Sequence, residues 1–145
     1  MADGDELTHL RRPSLLYLTH SSFCYTSSMT TYTGGCHCKK VQYEVDIENL
    51  AEVISCNCSI CSKRGWLLTF VPKESFKLKT GEDELTDYQF NKHLIHHLFC
   101  TTCGTASFGT GSDGSGNESV AINVRCLDNV DIDALTIINY DGKNM

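Results

Sequence analysis

Seven of the nine cysteines in this 145-residue chain fall in three short clusters, which constrain the fold more than any other feature. Ligands that lie close in sequence converge on one metal ion only where the chain turns tightly. Two clusters have glycines beside them, at Gly34-Gly35 and at Gly104, and glycine permits such turns. The spacing therefore predicts zinc knuckles, that is, turns whose cysteines hold zinc: CHC at 36–38, CNCSIC at 56–61 and CTTC at 100–103.

Seven ligands divide most simply into one complete tetrahedral set and one set of three. The set of four would join an early turn to a late one, and the set of three would leave one position open, as catalytic zinc sites do. The predicted structural set is Cys36, Cys38, Cys100 and Cys103, and the predicted catalytic set is Cys56, Cys58 and Cys61. Spacing also allows the triad to pair with Cys100 and Cys103, or to take a histidine from among His93, His96 and His97.

Composition narrows the class of protein and its partners. The opening MADGDELTHLRR is acidic and has no continuous apolar segment, so a reducing compartment is expected: the cytoplasm, with the nucleus as an alternative. Disulfides are therefore not expected. A net charge of −6, with basic residues only in isolated pairs, disfavours nucleic acid as a partner. No apolar run approaches the roughly 18 residues that a membrane span needs.

The hydrophobic pattern predicts a mainly β fold. Apolar and polar residues alternate in KKVQYEVDI and in ESVAINVRC, and no segment keeps a helical period over three turns. Shorter strands are expected in WLLTFV, FKLKT, LTDYQF, HLIHHLF and TIINY, with one helical turn in DIDAL and a Gly/Ser loop in GTGSDGSGNE. We expect a small antiparallel domain over 32–142, a flexible N-terminal extension over 1–31, and a tail at 143–145.

The ligand type in the triad indicates a particular chemistry. Three thiolates leave zinc with a net charge near −1, which suits exchange of a soft ligand such as a thiol better than activation of water. A metal-bound thiol is deprotonated and can attack an aldehyde, or leave in the reverse step. Lys63 and Arg64 could meet the carboxylates of an anionic thiol or be solvated, and Trp66 is expected in the core. Cys24 and Cys126 are expected to be unligated, with Cys126 buried at the end of a strand.

The motifs GGCHCKKVQYEV, CNCSICSKRGW, HLFCTTCGT, NVRCLD and YDG, in this order, resemble those of the glutathione-dependent formaldehyde-activating enzyme family, which includes centromere protein V. The resemblance implies a β-tent-like fold with two zinc ions per chain. It implies structural zinc on Cys36, Cys38, Cys100 and Cys103, and catalytic zinc on Cys56, Cys58 and Cys61. The implied reaction joins glutathione and formaldehyde to S-hydroxymethylglutathione, the work of a carbon–sulfur lyase.

Three functions are compatible with these residues. The preferred hypothesis is a zinc-dependent carbon–sulfur lyase that acts on thiol–aldehyde adducts. The alternative is a zinc-stabilised module that binds a protein or chromatin without catalysis, which a fourth protein ligand on the triad would favour. A thiol-redox or zinc-buffering protein is the third and would show reversible oxidation of the triad.

Overall fold

The computed structural model describes residues 28–145 and shows ten β-strands, one short α-helix and several 3-10 turns. Residues 1–27, which include Cys24 and most of the expected extension, lie outside the described residues. Within the described part of the chain, no helix has the length and apolar character needed to cross a membrane.

The strands form two sheets. The small sheet has the order β1-β2-β5, with β1 (Met29–Gly35), β2 (Gln42–Glu48) and β5 (Phe76–Thr80). The large sheet has the order β10-β3-β4-β9-β8-β7-β6. Its strands are β3 (Glu52–Cys56), β4 (Leu68–Pro72), β6 (Leu85–Tyr88), β7 (Ile95–Cys100), β8 (Phe108–Ser112), β9 (Glu118–Asn123) and β10 (Thr136–Tyr140). Helix α1 (Cys61–Arg64) lies between β3 and β4.

All neighbouring strands are antiparallel except β10, which pairs in parallel with β3. This arrangement confirms the predicted small, mainly β and mainly antiparallel domain. The parallel pairing brings the end of β10 beside the end of β3, since Tyr140 is the register partner of Cys56. The last strand of the chain therefore ends at the cysteine triad.

The alternating residues of KKVQYEVDI form the core, as their period predicted. Val41, Tyr43, Val45 and Ile47 are at most 4% exposed. Burial of such side chains contributes about 1.5–3 kcal/mol each. The ring of Tyr43 packs against those of Phe76 and Phe108, with centroids 5.0 and 5.5 Å away, and its hydroxyl donates to the Ser107 carbonyl at 3.2 Å.

Regular structure extends past both expected ends of the domain. Strand β1 begins at Met29, which pairs with Glu48, so residues 29–31 belong to the small sheet rather than to the extension expected over 1–31. At the other end, Gly142–Asn144 form a 3-10 turn. The backbone N–H of Lys143 donates to Asn57 Oδ1 at 2.9 Å, so the expected tail at 143–145 begins with a residue bonded to the triad loop.

Two further expectations were wrong. Strand β8 includes residues 109–112, which were predicted as part of a Gly/Ser loop. Glycine has a low intrinsic preference for strands, and here the strand forms because its neighbours pair with it. The remaining loop is closed by Asp113, whose carboxylate accepts from the backbone N–H of Ser115 at 2.8 Å. Strand β9 ends at Asn123, and Cys126 follows in a 3-10 turn, where it is half-buried rather than buried.

Candidate metal centres and the adjoining cavity

Cys36, Cys38, Cys100 and Cys103 come together in one cluster. Their four Sγ atoms all lie within 4.8 Å of one another, with 3.5 Å between Cys36 and Cys38 and 3.6 Å between Cys38 and Cys100. Tetrahedral zinc with Zn–S bonds of 2.3 Å places its sulfurs about 3.8 Å apart. The four thiols therefore have the spacing that one zinc ion requires.

The local backbone explains why these thiols converge. The N–H of Val41 donates to Cys36 Sγ at 3.3 Å, and the N–H of Gly104 donates to the Cys100 carbonyl at 2.8 Å. Gly104 has φ +76°, a left-handed conformation that glycine adopts readily, so it permits the tight turn expected beside this cluster. Hydrogen bonding with the Thr105 hydroxyl, 3.4 Å away, lowers the pKa of Cys103 to about 5, which favours the thiolate that a metal needs.

The triad forms a second, separate cluster. Cys56 ends β3, Cys58 lies in the following turn and Cys61 begins α1, and their Sγ atoms also lie within 4.8 Å of one another. The N–H of Cys58 points to Cys56 Sγ at 3.4 Å. Within residues 28–145, no other cysteine, histidine or carboxylate joins this group. The two clusters thus match the predicted division into four and three, and the pairing of the triad with Cys100 and Cys103 is not seen.

Two thiols of the triad, those of Cys58 and Cys61, differ in acidity. Burial, reinforced by the neighbouring Cys58 and Cys56, raises the pKa of Cys61 to about 12. Burial also acts on Cys58, but hydrogen bonding with Cys61 and Cys56 outweighs it and lowers the pKa of Cys58 below its ordinary value. A metal bound at the triad would therefore have to displace the thiol proton of Cys61, which the raised pKa retains at neutral pH.

The C-terminal segment holds the triad loop in place. Asn57 Nδ2 donates to Asp141 Oδ1 at 2.8 Å, and Asn57 Oδ1 accepts from the Lys143 N–H. The Asn57 N–H donates to the Tyr140 carbonyl at 3.2 Å. These bonds bring Gly142 against Cys56. Sequence reasoning missed this contact, although the closing YDG was among the motifs that carried the resemblance.

A cavity of about 480 Å³ opens beside the triad, on one face of the large sheet. Its walls are mostly apolar. The lining consists of Ile54, Cys56, Cys58, Ile60, Cys61, Arg64, Trp66, Leu68, Phe70, Phe90, Ile95, His97, Gly109, Ala121 and Tyr140. A thiol that reached the triad would therefore be surrounded by hydrocarbon on most sides.

Arg64 brings a fixed positive charge to this apolar cavity. Its guanidinium carbon lies 5.7 Å from the centre of the Trp66 ring and 6.0 Å from that of Phe99, within cation–π range. Its Nη1 atom is closed off from solvent and has no hydrogen-bond partner. Burial lowers the pKa of Arg64, but an arginine remains charged at neutral pH. The charge is thus available to an anionic group in the cavity.

The other two residues that follow the triad have different positions. Lys63 is exposed and does not line the cavity, which fits a solvated charge. Trp66 is 8% exposed and packs as expected for a core residue, yet one part of its ring forms the cavity wall. Of the two predicted charges, only Arg64 is therefore in a position to meet a ligand beside the triad.

The histidines within residues 28–145 do not complete the triad. His97 lines the cavity and stacks on Phe90, with ring centroids 5.1 Å apart. Burial, together with the nearby charge of Arg64, lowers the pKa of His97, so its imidazole is neutral at pH 7. His96 Nδ1 lies 2.6 Å from Asp87 Oδ2 at the surface, and His93 precedes β7 in a left-handed conformation.

A known protein family matches most of the described domain. The sequence model of the glutathione-dependent formaldehyde-activating enzyme family matches residues 31–137. The chain belongs to this family. Membership confirms the resemblance seen in the motifs, and it assigns the chain in general terms to glutathione-dependent formaldehyde activation.

A solved structure shares the fold. It is a crystal structure of a Rhodobacter sphaeroides protein, determined as a structural-genomics target. The two chains are 28% identical and superpose with a TM-score of 0.64, covering 73% of this chain and 99% of the other. Nearly the whole of that protein therefore corresponds to the two-sheet domain described above.

Proposed function

We propose that this protein is a zinc-dependent carbon–sulfur lyase that joins glutathione and formaldehyde to S-hydroxymethylglutathione and catalyses the reverse reaction. The observation that carries the proposal is the cysteine triad. Its three Sγ atoms lie within 4.8 Å of one another and face a cavity, and none of the described residues supplies a fourth ligand. A site of this kind has room for the thiol of a substrate.

The two cysteine clusters would have different roles. Cys36, Cys38, Cys100 and Cys103 would hold a structural zinc that ties the β1–β2 turn to the end of β7. Cys56, Cys58 and Cys61 would hold a catalytic zinc. Bound there, the metal would supply a positive centre that keeps a substrate thiol deprotonated at neutral pH.

The residues around the triad would bind and orient the substrates. In the forward reaction, the thiol sulfur forms a bond to the carbonyl carbon of formaldehyde, and the proton lost by the thiol ends on the carbonyl oxygen. Arg64 lines the cavity and would hold one carboxylate of glutathione through a charge-assisted hydrogen bond from its guanidinium group. The apolar walls would exclude bulk water, which strengthens this contact.

Metal content and activity measured on the same samples test the proposal. We expect two zinc ions per chain, and exchange between formaldehyde and S-hydroxymethylglutathione, followed by NMR, faster than the spontaneous reaction. Cys58→Ser should hold one zinc and lose the acceleration. Cys126→Ser is the matched control, because Cys126 lies outside both clusters. Two zinc ions with no acceleration would favour a non-catalytic interaction module instead.

A further inference from the structure

We propose that the cavity beside the triad accepts the apolar substituent of an aldehyde larger than formaldehyde, and that aromatic aldehydes are substrates. The inference rests on the proposed function for the place where the thiol binds. It adds the class of aldehyde that would fit the rest of the cavity. Three features carry it: the size of the cavity, the chemistry of its walls and the way the sheet builds its floor.

The cavity is far larger than formaldehyde needs. Formaldehyde has one carbon and one oxygen, and a water molecule, which is of similar size, takes about 30 Å³ of liquid. The cavity measures about 480 Å³, in the range of about 300–1,000 Å³ typical of sites for drug-sized ligands. A one-carbon substituent on the thiol would leave most of this volume empty.

The walls do not suit the rest of glutathione. The tripeptide carries two carboxylates and one ammonium group, and a charge buried without a partner is costly. Among the described residues, and apart from the cysteines, Arg64 is the one charged side chain in the lining, since the lowered pKa of His97 leaves its imidazole neutral. Arg64 can take one carboxylate, so the other charged groups of glutathione must lie at the mouth, in water.

Aromatic side chains dominate the remaining surface. Trp66, Phe70, Phe90 and Tyr140 all line the cavity, with aliphatic residues between them. Aromatic pairs gain stability in offset or edge-to-face arrangements beyond what burial of area gives. The group that fits these walls is apolar and flat. It would be attached to the carbon that bonds the thiol sulfur, because that carbon lies next to the triad.

The floor of the cavity is made by two small residues in register. Ala121 on β9 pairs with Phe70 on β4 on one side and with Gly109 on β8 on the other. Because Ala121 has a small side chain and Gly109 has none, they leave a depression between Phe70 and Ile95, which are 55% and 51% exposed. A larger residue at 121 would fill this depression without changing the charge of the site.

The reaction would be the same addition with a larger partner. With benzaldehyde, the thiol sulfur of glutathione bonds to the carbonyl carbon, and the thiol proton ends on the oxygen, giving S-(hydroxyphenylmethyl)glutathione. The reverse step releases both compounds. No oxidant, reductant or further reactant is needed.

Binding of stable analogues tests the inference without turnover. Trp66 is the only tryptophan of the chain and lines the cavity, so its emission should report occupancy in the full-length, zinc-loaded protein. S-benzylglutathione and S-methylglutathione differ only in the apolar group. We expect the benzyl compound to bind about tenfold tighter or more, as burial of roughly 60 Å² of additional apolar surface predicts. Equal affinities, or no binding of either compound, would overturn the inference.

A variant with a larger side chain in the floor of the cavity provides a second test. Ala121→Leu should bring the affinity for S-benzylglutathione down to that for S-methylglutathione, and it should lower the ratio of the benzaldehyde rate to the formaldehyde rate. Ala51→Leu makes the same change in an exposed turn and should alter neither quantity. An unchanged benzyl preference in Ala121→Leu contradicts the proposed floor, provided that the circular dichroism spectra of both variants match that of the wild type.

The outcomes separate this inference from the proposed function. Acceleration with formaldehyde but not with benzaldehyde, together with equal affinities for the two analogues, would overturn the inference alone. Tight binding of the benzyl compound and acceleration with benzaldehyde but not with formaldehyde would keep the inference and overturn the formaldehyde assignment.

Discussion

A Cβ atom placed on Gly142 would lie 2.5 Å from the Sγ of Cys56 and 3.2 Å from the Cβ of Cys58. Real Cβ atoms do not approach a sulfur so closely, so only glycine fits at this position. The contact links the last turn of the described chain to the triad. The bonds from Asn57 to Asp141 and Lys143 keep it in place.

Gly142→Ala should therefore displace Cys56 and weaken metal binding at the triad. We expect the zinc content to fall from two ions per chain towards one, with the structural zinc and the fold retained. Metal analysis after dialysis against a weak chelator measures this. Gly111→Ala is the control, because a Cβ at 111 makes only ordinary contacts, at 3.5 Å from the Ile95 side chain and 3.8 Å from the Leu94 carbonyl oxygen. Full retention of two ions in Gly142→Ala would show that the contact is not needed for metal binding.

Loss of a ligand should have different consequences in the two clusters. Cys100 is 1% exposed and lies where β7 meets the β1–β2 turn, so Cys100→Ser should remove a metal that contributes directly to folding. We expect this variant to be unfolded, or to melt well below the wild type. Cys58→Ser should remain folded, lose one zinc and lose activity. Thermal unfolding followed by circular dichroism distinguishes them, and equal behaviour would contradict the two roles.

Arg64 should set the affinity for glutathione. A hydrogen bond to a charged group contributes about 1.5–3 kcal/mol, so Arg64→Gln should weaken glutathione binding by roughly ten- to a hundredfold. Calorimetric titration of the zinc-loaded protein measures the dissociation constant. Lys63→Gln removes a neighbouring charge that lies outside the cavity and should have little effect. Similar losses in both variants would point to a general electrostatic effect instead of a contact.

Asn57 should control the mobility of the C-terminal turn. Asn57→Ala removes two hydrogen bonds to residues 141 and 143, so the backbone amides of residues 140–144 should exchange hydrogen faster. Hydrogen exchange with mass spectrometry reads this directly. Asn144→Ala removes a single bond, to Asp141, and leaves both Asn57 bonds intact. Exchange that rises equally in the two variants would assign the restraint to Asp141 rather than to Asn57.

The cysteine clusters could be predicted from sequence because their signal is local. Short turns fix Cys36 and Cys38, and likewise the cysteines of the triad. The spacing favoured placing the distant Cys100 and Cys103 with the first set but also allowed them to pair with the triad. The alternation from Val41 to Ile47 likewise predicted a strand with one buried face. In each case the pattern that determines the structure lies within a few residues.

The features that sequence reasoning missed depend on contacts between distant segments. Strand β8 contains two glycines and has no apolar alternation, so its place follows from pairing with β7 and β9. The contact of Gly142 with Cys56 depends on the parallel pairing of β10 with β3. The cavity depends on Ala121 and Gly109 lying in register across two strands, and neither residue carries a local signal of function.

Cobalt substitution tests whether a metal held by the triad accepts a thiol. Cobalt takes the place of zinc in tetrahedral thiolate sites, and each thiolate adds to its charge-transfer absorption in the near ultraviolet. Glutathione should increase this absorption by the contribution of one further thiolate, S-methylglutathione should not, and Cys58→Ser should abolish the increase. A spectrum that saturating glutathione leaves unchanged would show that no thiol binds the metal of the triad.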